Sequence, residues 1–205
     1  MKTSPVLSEF LKLAPLGDLW VFGYGSLTWL PGFRSSQKSV GQVHGYHRSL
    51  CVYSDRYRGT EKRPGLVMGL CRGGSCWGMV YRVSSAQATR VLAYLWRREM
   101  FNHVYQPRFL RVRIRGGGKV RALAFVADTA HQLFIGDLDV EHTARLVAQA
   151  HGERGRNIDY LSNTLAHMHE VGVRDPHLDR VLLRALALRG ARRALQSKKR
   201  GNLKR

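Results

Sequence analysis

Two short stretches carry residues whose types and spacing could do chemistry. The first is Gly23-Tyr24-Gly25-Ser26-Leu27, directly after the apolar run Leu19-Trp20-Val21-Phe22. Two glycines separated by one residue let a strand turn sharply and present successive amide hydrogens. Such a nest can hold a carboxylate, a phosphate or an oxyanion. No third glycine follows at the dinucleotide-binding offset, since Thr28-Trp29-Leu30-Pro31 comes next; the pattern is also not a phosphate loop. Many a Gly-x-Gly turn does no more than end a strand, and the pattern alone does not choose. Ser26 is no hydrolase nucleophile elbow, which needs Gly-x-Ser-x-Gly and a His–Asp pair.

The second stretch surrounds Glu99. From Ser85 onward, Ala88, Val91 or Leu92, and Leu95 recur at three- and four-residue spacing, and the next step of four is Glu99. A carboxylate therefore takes an apolar position at the end of a helix. Partial desolvation raises a carboxyl's pKa, the tuning a general base near neutrality needs. The competing reading is a glutamate that frays off the helix end into a salt bridge. Arg97 and Arg98 should point roughly 200° and 100° away around the helix, so their charges need not form a tight pair with it.

The remaining candidates are weaker. His167 and His169 fall on different helix faces, and His44 and His47 have no third ligand nearby, so no metal site is expected. Cys51, Cys71 and Cys76 form no CxxC pair and cannot all pair with one another. That points to a reducing cytoplasm and away from structural zinc.

The elements that must hold these residues read as follows. The first residues, with Pro5 and Pro15, form a short amphipathic lead-in. Strands are expected at Leu19–Phe22, Val40–Tyr53 and Leu66–Cys71. Gly73-Gly74 followed by Trp77–Val83 predicts a hairpin. Phe109–Arg115 and Val120–Ala127 flank Gly116-Gly117-Gly118 and predict another. Helices are expected at Ser85 to about Met100, Val140–Ala150, Ile158–Val171 and Leu178–Leu195. The sum is an α+β fold: a mostly antiparallel, strongly curved or barrel-like sheet flanked by helices, with a helical C-terminal third. We read one domain over residues 1–188 and a basic tail over 189–205.

The chain has 205 residues, 44% of them hydrophobic, and a net charge of +20 from 34 bases and 14 acids. It can build a core without disulfides or metal and is not a disordered basic arm. No apolar run reaches the roughly 20 residues of a membrane helix, and the start shows no secretory signal pattern. From Arg189 to the end stand eight bases and no acid; the rest still carries +12. Any nucleic-acid contact would fall to this tail, which has no aromatic residue for stacking a base.

The two stretches belong to a larger ordered set. Val21 to Phe33, Gly45-Tyr46-His47-Arg48, Arg58-Gly59-Thr60, Pro64 to Val67, Gly78 to Val83, Tyr94 to Glu99 with Tyr105 six residues on, Asn157 to Leu161 and Gly172 to Asp175 together resemble the ChaC family of glutathione-specific γ-glutamylcyclotransferases. The resemblance covers about residues 19–183. It implies the γ-glutamylcyclotransferase-like fold and cleavage of glutathione to 5-oxoproline and cysteinylglycine, without metal or cofactor. It implies Glu99 as the acid/base, and the turn of Tyr24, Gly25, Ser26 and Leu27 as the binding site for the γ-glutamyl carboxylate or the oxyanion. By analogy Tyr105 and Tyr160 would hydrogen-bond the substrate. Arg48 and Arg58 would either meet its carboxylates or serve the fold. One departure stands out: many members have two glycines where this chain has His103-Val104. The remaining expectations are a cytoplasmic monomer with a small-molecule partner and no membrane partner. The alternatives are other γ-glutamyl peptides or amines as substrate, or a nucleic-acid-binding protein.

Overall fold

The computed structural model describes residues 7–202, with side chains described for 7–191. Pro5 of the lead-in and the basic side chains beyond residue 191 therefore lie outside the described residues. The chain forms two compact units, Met1–Val52 with Met68–Phe134, and Tyr53–Val67 with Ile135–Arg205.

The first unit is built on a barrel. After helix α1 (Leu7–Leu11) come β1 (Leu19–Gly23), a 3-10 turn (Ser26–Thr28), β2 (Gln37–Ser54), β3 (Gly65–Val83), helix α2 (Ser85–Glu99), β4 (Tyr105–Ile114) and β5 (Lys119–Ala127). The strand order is β1-β3-β2-β4-β5, closed by a parallel contact of β1 with β5 at Val21 and Leu123. The pairs β1–β3, β2–β4 and β4–β5 are antiparallel. β1 is nearly all aromatic and aliphatic because both of its faces are covered. β5 begins with alternation and then turns continuously apolar, from Ala122 to Ala127. The change falls where Phe10 of α1 stacks on Phe125, with ring centroids 6.3 Å apart. α2 buries Ala88, Val91, Leu92 and Leu95 as its periodicity predicts. Each fully buried leucine contributes about 1.5–3 kcal/mol.

Gly116, Gly117 and Gly118, all at positive φ, turn β4 into β5 as expected. The hairpin expected at Gly73-Gly74 is overturned. Both glycines do take positive φ, but β3 runs through them unbroken. Its second half pairs antiparallel with β1, Met79 facing Gly23 and Val83 facing Leu19. Glycines at positive φ are compatible with an interrupted strand and with a continuous one, and here the strand is continuous. The Sγ atoms of Cys51 and Cys71 meet at 3.2 Å as thiols.

The second unit holds α3 (Val140–Gln149), a two-stranded ribbon of β6 (His151–Gly152) and β7 (Gly155–Arg156), α4 (Asn157–Glu170) and α5 (Pro176–Asn202). The Asp139 side chain caps α3 by accepting from the His142 amide, which satisfies a donor left open at a helix start. Asn157, wholly buried, bonds both the N–H and the C=O of Leu66 at 2.7 Å. α5 continues through Gly190, so the start of the basic tail is helical. Among the described residues no helix is long and apolar enough to cross a membrane.

Candidate active site

Glu99 is the last residue of α2 and continues its buried stripe, its side chain 17% exposed. Arg98 holds it. Nε of Arg98 lies 2.9 Å from Glu99 Oε1. The salt bridge left open by the sequence is therefore formed, although the helical angle did not require it. That angle describes where Cβ atoms point, whereas a long guanidinium at the final turn can reach across a neighbour. The remaining nitrogens of Arg98 fan out over the glycine turn. Nη1 donates to the carbonyls of Leu30 (2.5 Å) and Pro31 (3.2 Å) and to the Tyr94 hydroxyl (2.9 Å). Nη2 donates to Ser26 Oγ at 2.9 Å. One nearly buried cation thus ties the carboxylate, the end of the helix and the turn into a single assembly. The planar five-donor fork of arginine suits this; an ammonium point charge does not.

The turn itself is packed from below and braced from the side. A Cβ on Gly23 would stand 2.7 Å from that of Leu27, so glycine is required for the chain to fold back on itself. The first internal bond of the 3-10 turn runs from the Thr28 amide to Gly25 O at 2.9 Å, leaving the amides of Ser26 and Leu27 ahead of it. Tyr81 donates its hydroxyl to the carbonyls of both Leu27 and Thr28, at 2.9 and 3.0 Å. Burial pushes this phenol up to about 12 against the opposing pull of Arg98, so it stays a donor across neutral pH. Tyr24 donates to Phe125 O at 2.5 Å. Arg48 donates to the carbonyls of Tyr24 (2.7 Å) and Trp77 (3.2 Å). Gly32 sits at φ +76°, and a Cβ there would lie 1.9 Å from the Tyr94 hydroxyl that accepts from Arg98.

Of the residues singled out from the sequence, Tyr24, Gly25, Ser26, Leu27, Arg48 and Glu99 thus belong to one connected network. Of the two roles open to Arg48, the structure displays the bracing one. Tyr105 lies in the same unit, its buried hydroxyl donating to Met68 O at 2.8 Å. Arg58 and Tyr160 belong to the second unit. There the guanidinium lies 5.3 Å from the centre of the tyrosine ring and donates to Arg154 O, and burial lowers its pKa. Arg98, Tyr81, Tyr94 and Gly32 were missed. Tyr94 and Arg98, four apart on the helix that ends at Glu99, were the available signal.

The departure at His103 has a structural counterpart. His103 is the one non-glycine residue at positive φ (58°) among the described residues, where glycine costs least. Its ring packs edge-on to Trp96, and its buried Nδ1 has no hydrogen-bond partner. No group of three His, Cys, Asp or Glu side chains able to hold a metal occurs among the described residues. His167 and His169 instead face Glu170 and Asp179 at 3.1 Å each.

A fixed carboxylate beside a turn with leading amides has the chemistry that a base next to an anion-binding corner needs, a pairing suited to amide and acyl transfer. Comparison with known proteins gives the same direction. The family model for ChaC-like proteins matches residues 19–186. The chain is 32% identical over 167 residues to the glutathione-specific γ-glutamylcyclotransferase of Escherichia coli (strain K12), covering 82% of this chain and 72% of that protein. It is 34% identical over 173 residues to glutathione-specific γ-glutamylcyclotransferase 1 of Danio rerio, covering 81% and 88%. The fold is similar to that of a selenomethionine-labelled yeast γ-glutamyl cyclotransferase specific to glutathione, with a TM-score of 0.78 at 20% identity over 84% of this chain and 97% of that one.

Proposed function

Because the chain belongs to the ChaC-like protein family, we propose that it cleaves glutathione to 5-oxoproline and cysteinylglycine, with Glu99 as the general acid/base. The α-amine of the γ-glutamyl residue attacks its own γ-carbonyl carbon. A new C–N bond closes the five-membered ring, and the γ-amide C–N bond breaks. No water is consumed. The amine is largely protonated near neutral pH and inert as a nucleophile until its proton leaves. Glu99 takes that proton and delivers it to the departing amide nitrogen. The second proton, shed by the ring nitrogen once the new C–N bond has formed, follows the same route, so the released amine leaves as an ammonium and the carboxylate ends as it began. The amides of the Tyr24–Leu27 turn bind the γ-glutamyl carboxylate or the oxyanion that forms at the γ-carbonyl. Holding the flexible chain in its cyclising conformer could supply several kcal/mol through orientation alone.

The observation that carries this reading is the Arg98 bridge from Glu99 Oε1 to Ser26 Oγ. It supports a base held in register with the turn. Arg98 is a positioning residue here, acting through Glu99 and the turn. Tyr105 is the next candidate for touching the substrate. For Arg58 and Tyr160, the same role is tested by whether Arg58→Ala and Tyr160→Phe raise KM. We place the reaction in a reducing cytoplasm and assign it to a monomer.

The deciding experiment incubates the purified protein separately with glutathione, γ-glutamyl amino acids and γ-glutamyl amines, and measures 5-oxoproline. Release from glutathione alone, with equimolar cysteinylglycine, is the expected result. Release chiefly from the amines or amino acids would move the chain to the rival substrate class. Incubation with EDTA is expected to leave the rate unchanged; loss restored by a divalent cation would overturn the metal-free route.

A further inference from the structure

The barrel contains no acid. In its five strands not one Asp or Glu occurs, and between Glu99 and Asp128 the sequence carries Arg108, Arg111, Arg113, Arg115, Lys119 and Arg121 with no acid among them. Five of these gather at one end of the β4–β5 hairpin. Arg111, Arg113 and Arg115 follow alternate positions, about 6.8 Å apart along an extended chain. Across the ladder Arg111 faces Arg121 and Arg113 faces Lys119. All five are exposed. Like charges set directly opposite each other destabilise a sheet, and the usual remedy is an acid on one strand. Here none is used: among the described residues Arg111, Arg113, Lys119 and Arg121 form no ion pair. Arg113 instead donates to the Gln42 side chain on β2 at 2.9 Å.

Aromatic rings lie among these charges. Arg115 stands 5.0 Å from the centre of the Trp77 ring and Arg121 5.9 Å from that of Phe109. Two hollows share Arg113 and Lys119. One, of about 600 Å³, is lined by Trp77, Arg115 and the glycine tip. The other, of about 310 Å³, is lined by His44, Tyr46 and Arg111. We infer that this face of the β2–β4–β5 sheet binds single-stranded nucleic acid, the cations tracking the phosphates and the rings stacking on bases. Evenly spaced cations with interleaved flat rings are what such a strand requires. A duplex hides the faces of its bases. An acidic peptide has no use for the rings, and the large exposed hydrophobic side chains that would anchor a lipid surface lie elsewhere in the chain. The inference is independent of the glutathione reading and moves the expected nucleic-acid contact from the tail to the barrel.

The test measures fluorescence anisotropy of a labelled 20-nucleotide oligo(dT) against the full chain at several KCl concentrations. Five phosphate contacts predict a slope of log K on log[salt] of about −3.5. The double variant Arg111→Ala/Arg121→Ala should flatten it to about −2, while Trp77→Leu should weaken binding roughly tenfold and leave the slope alone. Thermal melts verify that each variant is folded, whether or not the protein turns over glutathione. The proposal is overturned by no binding in 50 mM KCl, by equal affinity for a duplex of the same length, or by displacement with polyglutamate or anionic vesicles at equal charge. It is equally overturned if Arg111→Ala/Arg121→Ala binds as wild type while Lys198→Ala/Lys199→Ala/Arg200→Ala abolishes binding.

Discussion

Two groups of arginines, one in each unit, are put to opposite uses. In the second, arginine meets acid at the surface. Glu141 is shared by Arg145 and Arg184 at 2.9 and 2.6 Å, and Arg56 meets Glu153 at 3.0 Å, with all five side chains well exposed. In the first, Arg48 and Arg98 are drawn inward: Arg48 donates to the carbonyls of Tyr24 and Trp77, and Arg98 to those of Leu30 and Pro31, to the Tyr94 and Ser26 hydroxyls and to the Glu99 carboxylate. Exposed ion pairs are screened and cost side-chain entropy, so they contribute little. A buried guanidinium bonded to carbonyls is hard to replace, because each lost donor leaves a desolvated acceptor. The Glu141 and Glu153 pairs are thus surface pairing, whereas Arg48 and Arg98 hold a geometry. Each unit also has one of the other kind, Arg82 with Asp18 in the first at 2.6 Å and Arg58 with the Arg154 carbonyl in the second.

Glu99→Gln tests the contrast most strongly. It should lower kcat by about 10²–10⁴-fold, the range attributed to a general base, while the thermal midpoint stays within a few degrees. Retention of more than a tenth of wild-type turnover would place the base elsewhere. Arg98→Lys comes next. Charge is kept but the fork is lost, and a carboxylate displaced by about 1 Å costs on the order of 10²-fold. The loss should fall on kcat with KM little changed, and added guanidinium should partly restore Arg98→Ala. Arg48→Ala should lower stability by about 2 kcal/mol through two orphaned carbonyls, roughly 4–8 °C in the thermal midpoint for a chain of this size.

In the second unit the same operation should do little. Arg184→Ala should barely move the midpoint at neutral pH, and added salt should erase the difference from wild type. Its pH signature is nonetheless defined. The Arg184 hydrogen bond, helped by Arg145, holds the Glu141 carboxyl down at about 2 from an ordinary 4.5. A depressed carboxyl stabilises the fold above its unfolded pKa and loses that effect as pH falls through the folded one. The gap between wild type and Arg184→Ala should thus close between about pH 4.5 and 2. A large midpoint loss at neutral pH would erase the distinction drawn between the units.

How much was legible followed from how local each signal was. The α2 stripe, its unexpected Glu99 and the Gly116–Gly118 turn depend on neighbours a few residues away, and each appears where the spacing placed it. Gly73-Gly74 reads as a hairpin because adjacent glycines at positive φ suit a reversal; that β3 instead runs on from Gly65 to Val83 depends on the barrel around it. Arg98 was set aside on helical angle, since its partners Ser26, Leu30 and Pro31 lie about 70 positions away in the chain.

The sequence by itself determined the parts: a strand ending in a glycine turn, a helix ending in a carboxylate, and a strongly basic chain. Those follow from backbone freedom, periodicity and composition, which are local properties. The tertiary structure alone decided that Arg98 joins the turn to the carboxylate, that Tyr81 and Arg48 brace the turn, and that five cations share one sheet face. Those depend on barrel closure and strand register, which bring together side chains that no spacing along the chain connects.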